Sequence, residues 1–201
     1  MSKENDLINP NFDKLGYIQV YTGNGKGKTT ASLGLALRAL GRGWKVLIVL
    51  FTKGGSDYGE LFAFREFSPK LKKHIKIVQA GLDRIVYSNN MSQEDKKAIR
   101  KGWDVALDAA KSGEYQLIIL DEANIAIDLD IISVEEMKEF LANKPKELEV
   151  VLTGRRANQE IIELAHLVSE INPIKHYWDI GVQARKGIEY KADIFNEKPA
   201  V

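Results

Sequence analysis

Cysteine is absent from the 201 residues. Disulfides and thiolate-held metals are therefore excluded, and a reducing compartment suits the chain. No apolar run reaches the roughly 18 residues of a membrane span. The polar N-terminus has no signal-peptide core, so a cytoplasmic protein without a membrane partner is expected. Neither sign of charge is in excess, with 29 Lys and Arg against 28 Asp and Glu. A nucleic-acid binder normally shows a basic excess or stripe, so no nucleic-acid partner is expected. The one basic cluster, Lys70, Lys72, Lys73 and Lys76, reads as a solvated surface turn. The three histidines, His74, His166 and His176, match no metal-site spacing. There is no internal repeat and no low-complexity tract.

What is present suffices for a core. Hydrophobic residues make up 44% and charged residues 28%, and the length fits one domain of ordinary size. Residues 1–15 are polar and read as a flexible arm, 16–191 as a single α/β domain, and 192–201 as a tail. Within the domain, strand-like and helix-like segments alternate. Apolar runs at Tyr17 to Tyr21, Val46 to Phe51, Ile75 to Val78, Leu117 to Leu120, Val150 to Leu152 and Leu167 to Ile171 read as strands. Thr29 to Leu40 is apolar on nearly every face and reads as a buried helix. Ser92 to Lys111 is helical, with Ala98, Ile99, Gly102, Trp103, Ala106, Ala109 and Ala110 at three- and four-residue spacing. Ser92 with Asp95, and Ser133 with Glu136, form capping boxes that open helices. A further helix spans about Asn158 to Ala165. Strands that are apolar on both faces imply a mainly parallel sheet covered on each side. Ligands of such sheets bind at the carboxyl edge of the strands, and the informative loops here all follow strands.

The first such loop reads Thr22-Gly23-Asn24-Gly25-Lys26-Gly27-Lys28-Thr29-Thr30. The common phosphate loop is G-x-x-x-x-G-K-[ST]. Gly27, Lys28 and Thr29 fit its end, while Thr22 stands where the first glycine would be. Phosphate oxygens need many donors at close range, and glycine lets the backbone wrap that tightly. The helix that follows aims free N–H groups and its positive end at the anion. Lys28 adds a point charge, Thr29 can hold a Mg²⁺ that bridges phosphates, and Lys26 and Thr30 add a second ammonium and hydroxyl.

Leu117-Ile118-Ile119-Leu120-Asp121-Glu122 has the form of a Walker B strand, which carries two carboxylates to the sheet edge beside the phosphate loop. Glu122 would align water in a hydrolase or hold the cation in a transferase; the residues alone leave both open. Thr153-Gly154-Arg155-Arg156 follows another strand. A guanidinium there would neutralise a departing phosphate chain, and a plain surface turn is the other reading. Lys53-Gly54-Gly55 invites the same two readings. In Lys175-His176-Tyr177-Trp178-Asp179 the aromatics would cover a flat ligand, pack in the core or contact a subunit.

With these residues placed, the chain resembles the P-loop type of ATP:corrinoid adenosyltransferase, the cob(I)yrinic acid a,c-diamide adenosyltransferase family. The resemblance runs from about Tyr17 to Tyr190. It is carried by TGNGKGKTT at Thr22 to Thr30, FTKG at Phe51 to Gly54, LDEAN at Leu120 to Asn124, LTGR at Leu152 to Arg155, IELA at Ile162 to Ala165, and the stretch Val168 to Tyr190. The threonine in place of the first loop glycine is the family's own form. The resemblance implies a RecA-like P-loop fold, a homodimer, ATP with Mg²⁺ or Mn²⁺, a corrinoid substrate and an external reductant such as a reduced flavoprotein. It implies that Gly23, Asn24, Gly25, Lys26, Gly27, Lys28, Thr29 and Thr30 hold the triphosphate. It also implies that Thr29 and Glu122 hold the metal and that Arg38 and Arg155 contact the nucleotide. The implied reaction uses Co(I) as nucleophile on the 5′-carbon of ATP, with triphosphate leaving intact, and Lys28 and Arg155 stabilising the leaving charge. Relatives carry aromatics after the third strand, thought to crowd the cobalt's lower ligand. Here that stretch is Gly81-Leu82-Asp83-Arg84-Ile85-Val86-Tyr87, with Tyr87 its one aromatic. The competing expectations are a RecA-like ATPase that uses Glu122 and a nucleoside kinase.

Overall fold

The computed structural model describes residues 16–55, 58–84, 86, 90–185 and 187–189. The expected arm, the expected tail and Tyr87 lie outside the described residues. In chain order the elements are β1 (Ile18–Thr22), α1 (Lys28–Gly41), β2 (Val46–Phe51), α2 (Gly59–Arg65), α3 (Pro69–Lys72), β3 (Ile75–Ala80) and α4 (Gln93–Ser112). There follow β4 (Leu117–Asp121), α5 (Ala123–Asp128), α6 (Val134–Asn143), β5 (Glu149–Thr153), α7 (Gln159–Leu164), β6 (Leu167–Glu170) and a short 3₁₀ helix (Tyr177–Ile180).

The six strands form one sheet in the order β3-β2-β4-β5-β1-β6, and every pairing is parallel. β2 and β4 are buried along their whole length, because apolar residues on both faces need cover on both faces. Alternate side chains go to opposite layers. Leu47, Val49, Phe51, Ile118 and Leu120 pack with Ile99 and Trp103 of α4, Met137 and Phe140 of α6, and Ile161 of α7. Val46, Ile48, Leu50, Leu117 and Ile119 pack with Ala36, Ala39 and Leu40 of α1 and Leu61 of α2. Each buried Leu or Ile contributes about 1.5–3 kcal/mol. Trp103 and Phe140 meet edge to face, with ring centroids 5.2 Å apart. This is the P-loop α/β architecture that the alternating pattern and the family resemblance led us to expect.

Both capping boxes form. Ser92 and Asp95 open α4, and Ser133 and Glu136 open α6, each side chain bonded to the other residue's backbone N–H. Asn158 caps α7 through Glu160 N.

Three expectations need correction. α1 is not buried all round: Lys28, Ser32, Ala36, Ala39 and Leu40 face inward, while Leu37 is 56% exposed. The helix covers one layer of the sheet with one face, and small side chains on that face let it approach. β6 is not covered on both sides either. It is a sheet edge, and all four of its residues are exposed. The stretch that ends in the expected surface turn holds two short helices, α2 and α3, and α5 follows β4 directly; none is long enough to show a periodic apolar pattern. The lysines of the basic cluster are exposed.

Candidate nucleotide site

The loops at the carboxyl ends of the strands converge on one cleft of about 540 Å³. Asn24, Gly25, Lys26, Gly27, Lys28, Thr29 and Thr30 line it from the turn after β1. Thr52 and Lys53 enter after β2, Arg84 after β3, Glu122 after β4 and Arg155 after β5. His176, Ala184, Ile188 and Glu189 close it from the C-terminal segment. Five cations (Lys26, Lys28, Lys53, Arg84, Arg155) and three carboxylates (Glu60, Glu122, Glu189) line the cleft, and two of the cations, Lys53 and Arg84, are paired with Asp121 and Asp95.

The glycine turn is fixed by β6. Gly25 N donates to Ile171 O at 2.6 Å, and Ile171 N donates to Thr22 O at 2.9 Å. Gly23 has a φ of 91°, the left-handed region that glycine tolerates. Lys28 begins α1 and folds back across the turn, its Nζ donating to Gly23 O at 2.8 Å and Gly25 O at 2.7 Å. Burial pushes the Lys28 pKa down from the ordinary lysine value. Gly27 is the N-cap of α1, with no side-chain cap and no acidic residue in the first turn. The first N–H groups of a helix lack intrahelical partners, so this end is open to an anion. Lys26 Nζ donates to Ile188 O at 3.0 Å and ties the turn to the C-terminal segment.

Across the cleft, β4 delivers its two acids to different places. Asp121 is fully buried; its Oδ1 accepts from Thr153 Oγ1 at 2.7 Å and its Oδ2 lies 2.5 Å from Lys53 Nζ. Glu122 takes a φ of 60°, and its N–H donates to Thr153 Oγ1 at 3.0 Å. That bend turns its side chain into the cleft. Burial, then the charge of Asp121, push the Glu122 carboxyl above the ordinary glutamate range, against the pull of Lys53, Lys28 and Arg155. Asn124, the last residue of the LDEAN stretch, is buried and donates through Nδ2 to Gly154 O at 3.0 Å. It thereby holds the Arg155 turn next to Glu122.

Of the residues expected to bind the phosphates, the structure brings together Asn24 through Thr30 in the cleft wall, with Gly23 beneath, and adds Glu122 and Arg155. Arg38 stands apart, on the exposed last turn of α1 and about 13 Å along the helix axis from Thr29. Arg156 turns away from the cleft and pairs with Asp128 at 3.2 Å. Of the two aromatics in Lys175 to Asp179, Trp178 is exposed, and the ring of Tyr177 lies 4.8 Å from the Arg185 guanidinium; neither lines the cleft. Sequence reasoning left Lys53, Thr153 and Arg84 without a settled role. Their placement depends on contacts between different strand ends, and the run Phe51-Thr52-Lys53-Gly54 after an apolar strand was the available signal.

Among the described residues, no group of three or more His, Cys, Asp or Glu could hold a metal ion. Two of the side chains that line the cleft, the Thr29 hydroxyl and the Glu122 carboxylate, offer hard oxygens. They suit a Mg²⁺ or Mn²⁺ carried mainly by phosphates, since Mg²⁺ commonly takes one or two protein oxygens beside its nucleotide.

A parallel sheet with a glycine turn, a Gly-Lys-Thr at a helix start and an acidic strand end across from it defines a P-loop nucleotide-binding protein. The comparison with known families narrows this. The family model described as ATP:corrinoid adenosyltransferase BtuR/CobO/CobP matches residues 14–190, and the chain belongs to that family. Membership carries the family's activity, transfer of an adenosyl group to a corrinoid. The chain is 36% identical to the corrinoid adenosyltransferase of Escherichia coli K12 and 34% identical to corrinoid adenosyltransferase CobA of Salmonella typhimurium. Each match covers 89% of this chain and 87% of the relative. An uncharacterized protein of Nostoc sp. is 39% identical over 86% of this chain, which spans about half (48%) of that protein's length.

Proposed function

We propose that the chain seats the triphosphate of ATP on the turn from Gly23 to Thr29 and presents the 5′-carbon to a Co(I) corrinoid. The observation that carries this reading is the convergence, in one cleft, of the Lys28 ammonium, the uncapped start of α1, Glu122 and Arg155. The cobalt electron pair forms a Co–C bond at the 5′-carbon. The C–O bond breaks, its pair leaves with triphosphate, and the cobalt ends as Co(III).

Each side chain has a task that needs no protein nucleophile. The turn and the α1 N–H groups hold the phosphates in register, which fixes the carbon for in-line attack. Lys28 moves from the loop carbonyls to the phosphates, and Arg155 meets charge that grows on the leaving oxygen. Thr29 and Glu122 would hold a Mg²⁺ or Mn²⁺, which would supply further positive charge to the triphosphate. Leu33, Tyr58, Val86 and Ile188 line the same cleft and limit water near the reacting atoms.

An external reductant, such as a reduced flavoprotein, supplies the electron that reduces the corrinoid cobalt to Co(I), and a reducing compartment such as the cytoplasm suits that chemistry. Among the described residues no helix is long and apolar enough to cross a membrane. The chain acts as a homodimer; Leu167 and Val168 of the exposed β6 edge and Leu164 at the end of α7, at 41–45% exposure, are apolar surface that self-association would cover.

Incubation with ATP, a chemically reduced corrinoid and Mg²⁺ tests the reading. Adenosylated corrinoid and intact triphosphate in equal amounts are expected. ADP and phosphate as the only products would mean that Glu122 serves a hydrolase instead.

A further inference from the structure

Lys53, its side chain 18% exposed, is a cleft cation that the reaction above leaves without a task. It follows β2 directly, where Thr52 takes a φ of 60°. Its Nζ lies 2.5 Å from Asp121 Oδ2 and donates to Thr29 Oγ1 at 3.2 Å. Burial opposes its charge, but Asp121 and Glu122 outweigh burial and raise its pKa. A threonine hydroxyl from the phosphate loop and an aspartate from the acidic strand are the pair that hold the divalent cation in P-loop NTPases. In this fold an ammonium lies between them. The second Asp121 oxygen is taken by Thr153 Oγ1 at 2.7 Å, so both oxygens of the buried carboxylate have protein partners. Thr29 Oγ1 accepts only the longer Lys53 bond and keeps a second lone pair, whereas a divalent cation at Asp121 would meet the Lys53 ammonium across the 2.5 Å ion pair, where Coulomb repulsion is strongest. Expelling Lys53 would strand an ion-pair partner in the interior.

We propose that Lys53 is a positioning residue that keeps the divalent cation off Asp121, so that Glu122 is the carboxylate that receives it. This rests on the proposed ATP site at the Gly23–Thr29 turn. A fold strut would also explain the ion pair, but it makes no prediction about which carboxylate holds the metal.

Water-proton relaxation enhancement by Mn²⁺ separates protein-bound Mn²⁺·ATP from the free complex and reads the assignment without turnover. Asp121→Asn keeps the shape and the Thr153 bond; its affinity for Mn²⁺·ATP is expected within about threefold of wild type, whereas Glu122→Gln loses about tenfold or more. Equal losses in the two variants would overturn the proposal. Lys53→Met should bind Mn²⁺ alone about tenfold more tightly than wild type, and the double variant with Asp121→Asn should lose that gain. A folded Lys53→Met with unchanged Mn²⁺ affinity would also overturn it. If that variant does not fold, the Asp121→Asn and Glu122→Gln pair decides. A wild-type chain that takes up no Mn²⁺·ATP would overturn both the cation assignment and the phosphate-loop reading beneath it.

Discussion

Replacing Gly23 by alanine tests how the phosphate turn is built. An added Cβ would stand 2.4 Å from Ile171 O and 2.8 Å from Ile171 N, both backbone atoms of the residue that follows β6. Neither can swing aside as a side-chain tip would. The φ of 91° adds strain for any residue with a Cβ, about 1–2 kcal/mol, and relief of the overlap costs a further 1–3 kcal/mol or so. The total is about 2–5 kcal/mol, met by lifting the turn off Ile171. The Gly25–Ile171 bond at 2.6 Å is then lost, and the phosphate donors move by an ångström or so, which costs about a hundredfold in a positioned site. Titration calorimetry with ATP should show that loss, and the melting temperature should fall. Gly34→Ala is the control. Gly34 is exposed on α1, and a Cβ there meets nothing within 4 Å. The change should stabilise by about 0.5–1 kcal/mol and leave ATP affinity unchanged. Gly23→Ala with wild-type affinity and melting temperature would refute the geometry of the turn.

Lys28→Met removes the ammonium that bonds Gly23 O and Gly25 O. Its two charge-assisted bonds are worth about 1.5–3 kcal/mol each once transferred to phosphate, so ATP affinity should fall about a hundredfold or more by calorimetry. Because burial already works against that charge, the melting temperature should change by less than about 3 °C. Glu136 gives a pH signature. Burial raises its pKa, but the Ser133 N–H and Arg100 outweigh burial and hold it below the ordinary value. Its contribution is therefore fully present above the ordinary glutamate pKa, about 4.3, and is lost as pH falls through the depressed native value. The side chain is 38% exposed, so the effect stays below about 1 kcal/mol. Urea midpoints of wild type and Glu136→Gln should differ at neutral pH and converge in acid; a gap that persists in acid would contradict this.

The parts of the fold that local chemistry dictates could be read in advance. Val46–Phe51 is apolar at every position because β2 has cover on both faces, and that needs no neighbour to recognise. Ser133 and Glu136 satisfy each other's backbone within one turn, so the start of α6 was legible too. The Gly-Lys-Thr of the phosphate turn announced its ligand class for the same reason: the wrapping is done by consecutive residues. What escaped depends on residues far apart in sequence. Leu37 could not be known to face outward until the sheet fixed which side of α1 turns in. Asp121 and Glu122 are adjacent and chemically alike. Only Thr153 and Lys53, brought in from β5 and β2, send one into the interior and the other into the cleft. α2, α3 and α5 are too short for periodicity to declare them.

In the proposed reaction the triphosphate is gripped as a leaving group while a metal-centred electron pair attacks carbon rather than phosphorus. ATP labelled with oxygen-18 at the bridge between the 5′-carbon and the α-phosphorus reports this in a single turnover with a reduced corrinoid. Mass spectrometry should find the whole label in the released triphosphate. Label retained on the adenosine side would place the cleavage at phosphorus and contradict the account.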